Sequence, residues 1–260
     1  MKERIVTAIC LLAVVIPVVM LGGYWFLGLG LMVTVIAAWE MMNLHDHLNK
    51  TTTLVKCLTI VATVSVIVVS DVMWAFKAAA SYVVLILLIE AMFSPLKKGG
   101  VGLYVLTVCY IGFSFRALLE IRQHGLILFI FLIVLVVLTD SAAYFTGRVW
   151  GKHQLAPKIS PKKTVEGAIG GWVAGAGFAT LFGLANHLFT EMWVLTVLAV
   201  SLPILSQIGD LIASALKRRY GIKDYGKIFP GHGGVMDRVD SQMLAGLLLY
   251  VIIQIGGVGS

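Results

Sequence analysis

Long apolar runs, separated by short polar breaks, fill almost the whole chain, and their length is what most limits how it can fold. Runs near 5–21, 24–42, 54–70, 78–93, 101–119, 124–145, 168–187, 192–212 and 242–257 are dominated by Ala, Val, Ile, Leu, Met and Phe. Crossing the roughly 30 Å of hydrocarbon in a bilayer takes about 20 such residues in a helix. No water is available there to satisfy open backbone groups, so helices are the expected elements. The expected fold is therefore all-α: a polytopic integral membrane protein with about nine transmembrane helices. The segment between Lys77 and Glu90 is the shortest, and the first two runs could form one re-entrant pair, so eight to ten spans fit. Composition agrees, since 59% of the 260 residues are hydrophobic and 13% charged, against about 25% charged in soluble domains. The charged start before the first run has the shape of a signal peptide. A second run follows after only Gly22 and Gly23, which favours a retained first helix.

The net charge is +7, from 20 Lys and Arg against 13 Asp and Glu. With nine spans and the N-terminus in the cytoplasm, 17 of the 20 basic residues fall on the cytoplasmic side, including Lys50, Lys97 and Lys98. Only Lys77, Arg116 and Arg122 are left outside, as the bias of basic residues toward cytoplasmic loops requires. Nucleic acid is a poor partner for such a chain, because it gives no reason for the apolar remainder. Cys10, Cys57 and Cys109 each lie inside an apolar run without close spacing. They read as small core or lipid-facing residues rather than as a disulfide or zinc site.

The chain divides into N-terminal transmembrane helices, 1–123, and a C-terminal region, 124–260, with charged loops at 146–167 and 213–241. Positions 140–170 and 207–241 hold 17 of the 33 charged residues, so the chemistry is expected there. The first cluster starts where the sixth run meets Asp140. This residue marks either the headgroup boundary or a metal or substrate contact, with Tyr144 one turn on along the same face. Lys158, Ser160, Lys162, Lys163 and Thr164 then precede a helix start. Such donors suit an anion, and Thr164 also suits an N-cap. Gly167, Gly171 and Gly175 at four-residue spacing read as a close packing seam. Trp25, Trp39, Trp74 and Trp193 lie near run ends and read as interfacial anchors.

In the second cluster, Gln207 and Asp210 end a run that contains Pro203, and Asp237 and Asp240 open the last helix around Arg238. Three aspartates beside six basic residues suggest a hard divalent cation held by oxygen, Mg²⁺ being the natural candidate, with cationic side chains neutralising phosphates. The Pro230–Gly234 turn permits positive φ and close backbone approach, so Gly233 and Gly234 are candidates for a phosphate cradle. His232 could serve as a base, although a lone His is more often an ordinary polar contact.

The run from Ser214 to Asp240 resembles the signature of the phosphatidate cytidylyltransferases, also called CDP-diacylglycerol synthases. The matching positions are Ser214, Lys217, Arg218, Lys223, Asp224, Pro230, His232, Gly233, Gly234, Asp237, Arg238 and Asp240. A second stretch, from Asp140 through Lys158, Ser160, Pro161, Lys163, Thr164 and Glu166 to Gly167, is similar to another segment of that family. Together they cover about the C-terminal half. The resemblance implies an enzyme of the bacterial cytoplasmic (inner) membrane that makes CDP-diacylglycerol from CTP and phosphatidate with Mg²⁺, releasing diphosphate. Carried over, the metal-binding carboxylates are Asp210 and Asp237, with Asp240 and Asp140 as weaker candidates and room for a second cation. Lys217, Arg218, Lys223, Asp224, His232 and Arg238 would form the catalytic set. Tyr144, the Lys158–Thr164 segment, Gly233 and Gly234 would bind substrate. A homodimer through the N-terminal half is compatible with the sequence. Two rivals are a CTP-dependent polyprenol or phytol kinase, which would release CDP, and a membrane transporter.

Overall fold

The computed structural model describes residues 2–46, 53–93, 100–229, 231, 233–256 and 258. Helices form wherever the apolar runs predict them. They are α1 (Lys2–Leu21), α2 (Gly23–Asp46), α3 (Thr53–Val68), α4 (Val72–Phe93), α5 (Gly100–Leu106), α6 (Phe113–His124), α7 (Leu126–Trp150), α8 (Val165–Ala185), α9 (Met192–Arg219) and α10 (Met236–Gln254). One π-helical turn, Thr107–Gly112, joins α5 to α6, so that Gly100–His124 runs as one element. Among the described residues, six helices are long and apolar enough to cross a membrane. The chain is an integral membrane protein, but the expected nine spans are not carried over. The apolar parts of α1 and α3 are Val6–Leu21 and Thr53–Val68, and sixteen residues in a helix rise only about 24 Å. α10 opens with Asp237, Arg238 and Asp240.

The all-α expectation holds, with one small hairpin added to it. Gln154–Ala156 (β1) and Ser160–Thr164 (β2) pair antiparallel, with Gln154 opposite Thr164 and Ala156 opposite Ser160. α7 also runs ten residues past Asp140: no Pro follows before Gly151, and the one glycine, Gly147, is accommodated in the helix against α8.

The chain divides into two compact units. The first comprises Met1–Leu119 and Arg219–Arg238. Gly22 and Gly23 join α1 to α2 at φ values of 66° and 51°, which a residue with a Cβ adopts only at a cost. Asp71 caps α4 by accepting the Trp74 N–H at 2.9 Å. A buried hydroxyl pair, Thr59 and Tyr82, links α3 to α4 at 2.5 Å. The π turn packs on α3 so closely that a Cβ at Gly112 would stand 3.2 Å from the Val66 Cβ.

Arg116, which the sidedness reading places among the outer charges, is buried. Its guanidinium donates to the carbonyls of Val66 (2.9 Å), Val69 and Ser70 (2.6 Å) at the end of α3. A cation there meets carbonyls that the helix itself leaves unpaired. Arg116→Met is expected to leave these acceptors buried and unsatisfied, lowering stability by about 3 kcal/mol or more. Thermal unfolding in detergent measures this, and an unchanged midpoint would refute the role.

The second unit comprises Glu120–Arg218 and Val239–Ser260. Its central pair is α7 and α8, the most extensively packed helices. The predicted glycine seam is present. Gly167, Gly171 and Gly175 are buried on α8, facing Thr139, Ala143 and Gly147 of α7. The small residues on both helices repeat every four positions, which lets backbones approach where lipid offers no hydrophobic drive. Trp25, Trp74 and Trp193 sit within the first three residues of their helices and are exposed, as interfacial anchors would be. Cys10 and Cys57 are exposed and Cys109 half-buried, all as free thiols.

Candidate active site

Within the second unit, the β1–β2 hairpin leads directly into α8. The Thr164 hydroxyl accepts the Gly167 N–H at 3.1 Å, the N-cap that the sequence suggests. Val165 N–H donates to the His153 carbonyl at 2.9 Å. Glu166, in the first turn of α8, holds the other end of the hairpin. One carboxylate oxygen accepts the Lys152 and His153 amides at 3.1 and 3.2 Å, and the other lies 2.6 Å from His153 Nδ1. The basic residues of β2 are thus fixed to the start of a membrane helix.

Beside this hairpin lies a cavity of about 370 Å³, bordered by Asp140, Tyr144 and Arg148 of α7, Lys162 and Lys163 of β2, and Gln207 and Asp210 of α9. That volume is at the small end of the usual range for small-molecule sites. Lys163 Nζ meets Asp210 Oδ2 at 2.5 Å, and Ser214 Oγ donates to Asp210 Oδ1 at 3.3 Å. Ser241, Asp210 and Lys163 all lie near enough to Asp140 to act on it electrostatically. Gln207 Nε2 is bonded to the carbonyls of Ala168 (3.2 Å) and Pro203 (3.3 Å), joining α9 to α8. Two carboxylates with neighbouring hydroxyls, and neither thiol nor imidazole, make a donor set suited to a hard divalent cation. Within neither unit do three His, Cys, Asp or Glu among the described residues form a metal cage. Mg²⁺ needs only one or two carboxylates when phosphates complete its shell.

The other expected residues of this unit are spread more widely. Lys158 is exposed in the hairpin turn, and Ser160 is half-buried at the start of β2. Arg218 Nε donates to the Ile159 carbonyl at 3.2 Å, tying the end of α9 to that turn. Lys217 is buried. Asp240 is buried too and accepts the Ser241 amide at 2.9 Å. A Cβ at Gly209 would stand 2.6 Å from the Asp240 carbonyl, so α9 and α10 touch at backbone distance here.

The remaining signature residues belong to the first unit. Lys223, Asp224 and Arg238 are exposed there. Asp237 Oδ2 accepts two amides, Tyr225 N–H at 2.9 Å and Gly234 N–H at 3.0 Å. Gly233 has φ +83°, and a Cβ on it would press against the Asp237 carboxylate. This changes the expectation for the glycine turn. The Gly234 amide is engaged by a protein carboxylate, as are those of Val235 and Met236, so these three donors form no phosphate cradle. Pro230 and His232, like Lys50, Lys97 and Lys98, lie outside the described residues. Asp210 is brought together with Asp140 and Lys163. Its pairing with Asp237 still rests on the family resemblance, since the two belong to different units.

Sequence reasoning missed Glu40. This buried carboxylate of α2 accepts Val235 N–H at 3.1 Å on one oxygen and Met236 N–H at 3.0 Å on the other. The available signal was a lone acidic residue inside an apolar run.

A sequence profile described as the cytidylyltransferase family matches residues 2–256. Similar curated proteins include the phosphatidate cytidylyltransferase of Staphylococcus saprophyticus, 32% identical over 97% of this chain and 99% of the relative. That of Staphylococcus epidermidis is 31% identical over the same shares. The phosphatidate cytidylyltransferase of Bacillus subtilis is 44% identical over 59% of this chain and 58% of its own length.

Proposed function

The chain belongs to the cytidylyltransferase family, and from that premise we propose that it transfers CMP from CTP to phosphatidate, forming CDP-diacylglycerol and diphosphate. The observation that carries this reading is the cavity in which Asp140 of α7 and Asp210 of α9, both within membrane helices, face Lys162 and Lys163 of the β2 hairpin strand. The reaction joins a lipid phosphate to a nucleotide, so its site must serve both the bilayer and water.

An oxygen of the phosphatidate phosphate attacks the α-phosphorus of CTP. The bond from that phosphorus to the bridging oxygen of the β-phosphate breaks, and diphosphate leaves with the electron pair. A phosphate monoester has its second pKa near 6, so the nucleophile is already anionic at neutral pH and no base is required. The protein's task is to align two polyanions and to stabilise charge moving onto the leaving group. Lys162 and Lys163 neutralise phosphate oxygens, and Tyr144 and Arg148 border the same space. Lys217, Arg218, Lys223 and Arg238 are further cations for the substrates, and Asp224 and His232 stay with them as candidates carried by the resemblance. Asp210 and Asp140, with Asp237 by resemblance and Asp240 more weakly, would hold Mg²⁺, which when bound supplies positive charge shared between phosphates. The cytoplasmic side of the bacterial inner membrane is the proposed location, because CTP is supplied there.

Purified protein in detergent, given phosphatidate, Mg²⁺ and CTP labelled at the α-phosphorus, is expected to place the label in lipid and release diphosphate. Release of CDP with an unlabelled lipid product would overturn this reading in favour of a kinase.

A further inference from the structure

Glu40 is expensive where it stands. A carboxylate within a membrane helix is costly unless it is paired, and α2 carries this one at 3% exposure. Its partners are backbone amides rather than a basic side chain: Val235 on Oε1 and Met236 on Oε2. These lie at the start of α10, where donors lack intrahelical acceptors and the helix dipole favours negative charge.

Two glycines make room for that carboxylate. A Cβ at Gly226 or at Gly234 would run into the Glu40 side chain. The same short segment is held from the other side by Asp237, which accepts the amides of Tyr225 and Gly234. Glu40 and Asp237 together engage four amides between Tyr225 and Met236. Asp237 is itself the second residue of the helix whose start Glu40 binds.

We propose that Glu40 is a positioning residue for the proposed transfer reaction, fixing the 225–236 loop and the start of α10 so that the Asp237 carboxylate is held in one orientation. Glu40 touches no substrate. It acts through the backbone and sets where Asp237 points. This rests on the proposed cytidylyl transfer for its activity readout, but the positioning itself can be read without turnover.

Glu40→Gln keeps the volume but offers one acceptor oxygen and one NH₂ group, which cannot accept a second amide. The expected result is a kcat lower by about 10- to 100-fold, the usual size for loss of a group that orients a ligand. The KM values for CTP and phosphatidate should stay within about two-fold, while the Mg²⁺ concentration for half-maximal rate rises. Arg116→Met is the control for a purely structural defect, losing folded protein but keeping the kcat of what remains folded. Wild-type kcat and Mg²⁺ response in Glu40→Gln, or a loss that only tracks the folded fraction, would overturn the proposal. Should Glu40→Gln fail to fold, Glu40→Asp takes the same readings, with the charge kept and the reach one methylene shorter. If the wild-type protein makes no CDP-diacylglycerol, the functional reading has failed, and amide hydrogen exchange then decides. Faster exchange at Tyr225, Gly234, Val235 and Met236 together upholds positioning, and unchanged protection at Tyr225 and Gly234 overturns it.

Discussion

Replacing Asp210 with Asn is expected to lower kcat for CDP-diacylglycerol formation by roughly 10²- to 10³-fold, the range found when a preorganised charge-stabilising group is removed. Both oxygens of this carboxylate are in use, one on the Lys163 ammonium and one on the Ser214 hydroxyl. Asn fills the same space without the charge. It therefore removes an anionic oxygen from the cation site and the counterion from Lys163 in one step. More CTP should not restore the rate, because the loss lies in holding charge during transfer rather than in nucleotide capture. Stability should hardly move. The two side chains of the ion pair are 27% and 29% exposed, and partly exposed pairs contribute about 1 kcal/mol or less. Initial rates of labelled lipid formation at saturating substrates, read beside a melting curve, test both halves. Retention of a tenth or more of the wild-type rate would remove Asp210 from the proposed mechanism.

Gly171→Val is expected to have the largest structural effect. A Cβ there would sit 2.7 Å from the Thr139 carbonyl oxygen and 2.8 Å from the Ala143 Cβ. Neither neighbour can swing aside, because each is fixed to the α7 backbone. The two helices would have to separate. Overpacking of this kind costs about 1 to 3 kcal/mol or more, and here it also opens the cavity, since Asp140 and Tyr144 ride on α7 and Thr164 leads into α8. Both melting temperature and activity should fall. Gly177→Ala is the matched control. Nothing lies within 4 Å of a Cβ at Gly177, so that variant should keep both. If the two variants behave alike, the seam is not what holds α7 to α8.

How much of this was legible beforehand follows from how local each signal is. The helix positions could be read because an apolar run declares its own length. The Gly167 seam was visible as a spacing, but its partners were not, because Thr139 and Ala143 lie inside an apolar run where small residues attract no notice. The N-cap at Thr164 needed only its neighbours and was foreseen. The β1–β2 hairpin was missed because its pairing joins residues across a turn in a stretch whose composition reads as loop. For Asp140 the sequence leaves both a headgroup boundary and a substrate or metal contact open, and only the fold shows α7 continuing through Gly147 to Trp150. Glu40 lies 195 residues from the amide of Val235 that it binds, and no pattern around Trp39 and Met41 announces so distant a partner. The aspartates were found because they cluster in the chain. Lys163 was found with them, but its pairing with Asp210 depends on a fold that brings β2 beside α9.

The π-helical turn at Thr107–Gly112 makes the number of residues in this element matter independently of their identity. Hydrogen bonds in such a turn reach one residue further than in an α-helix, so the turn holds a residue that an α-helix would not. Removing one residue there would let the ordinary pitch return and rotate everything beyond it by about 100°. Arg116 would then swing away from the α3 carbonyls, although every side chain in the contact had been kept. In this stretch the number of residues matters as much as their identity, and a chain that lacked the turn would need another way to close the end of α3.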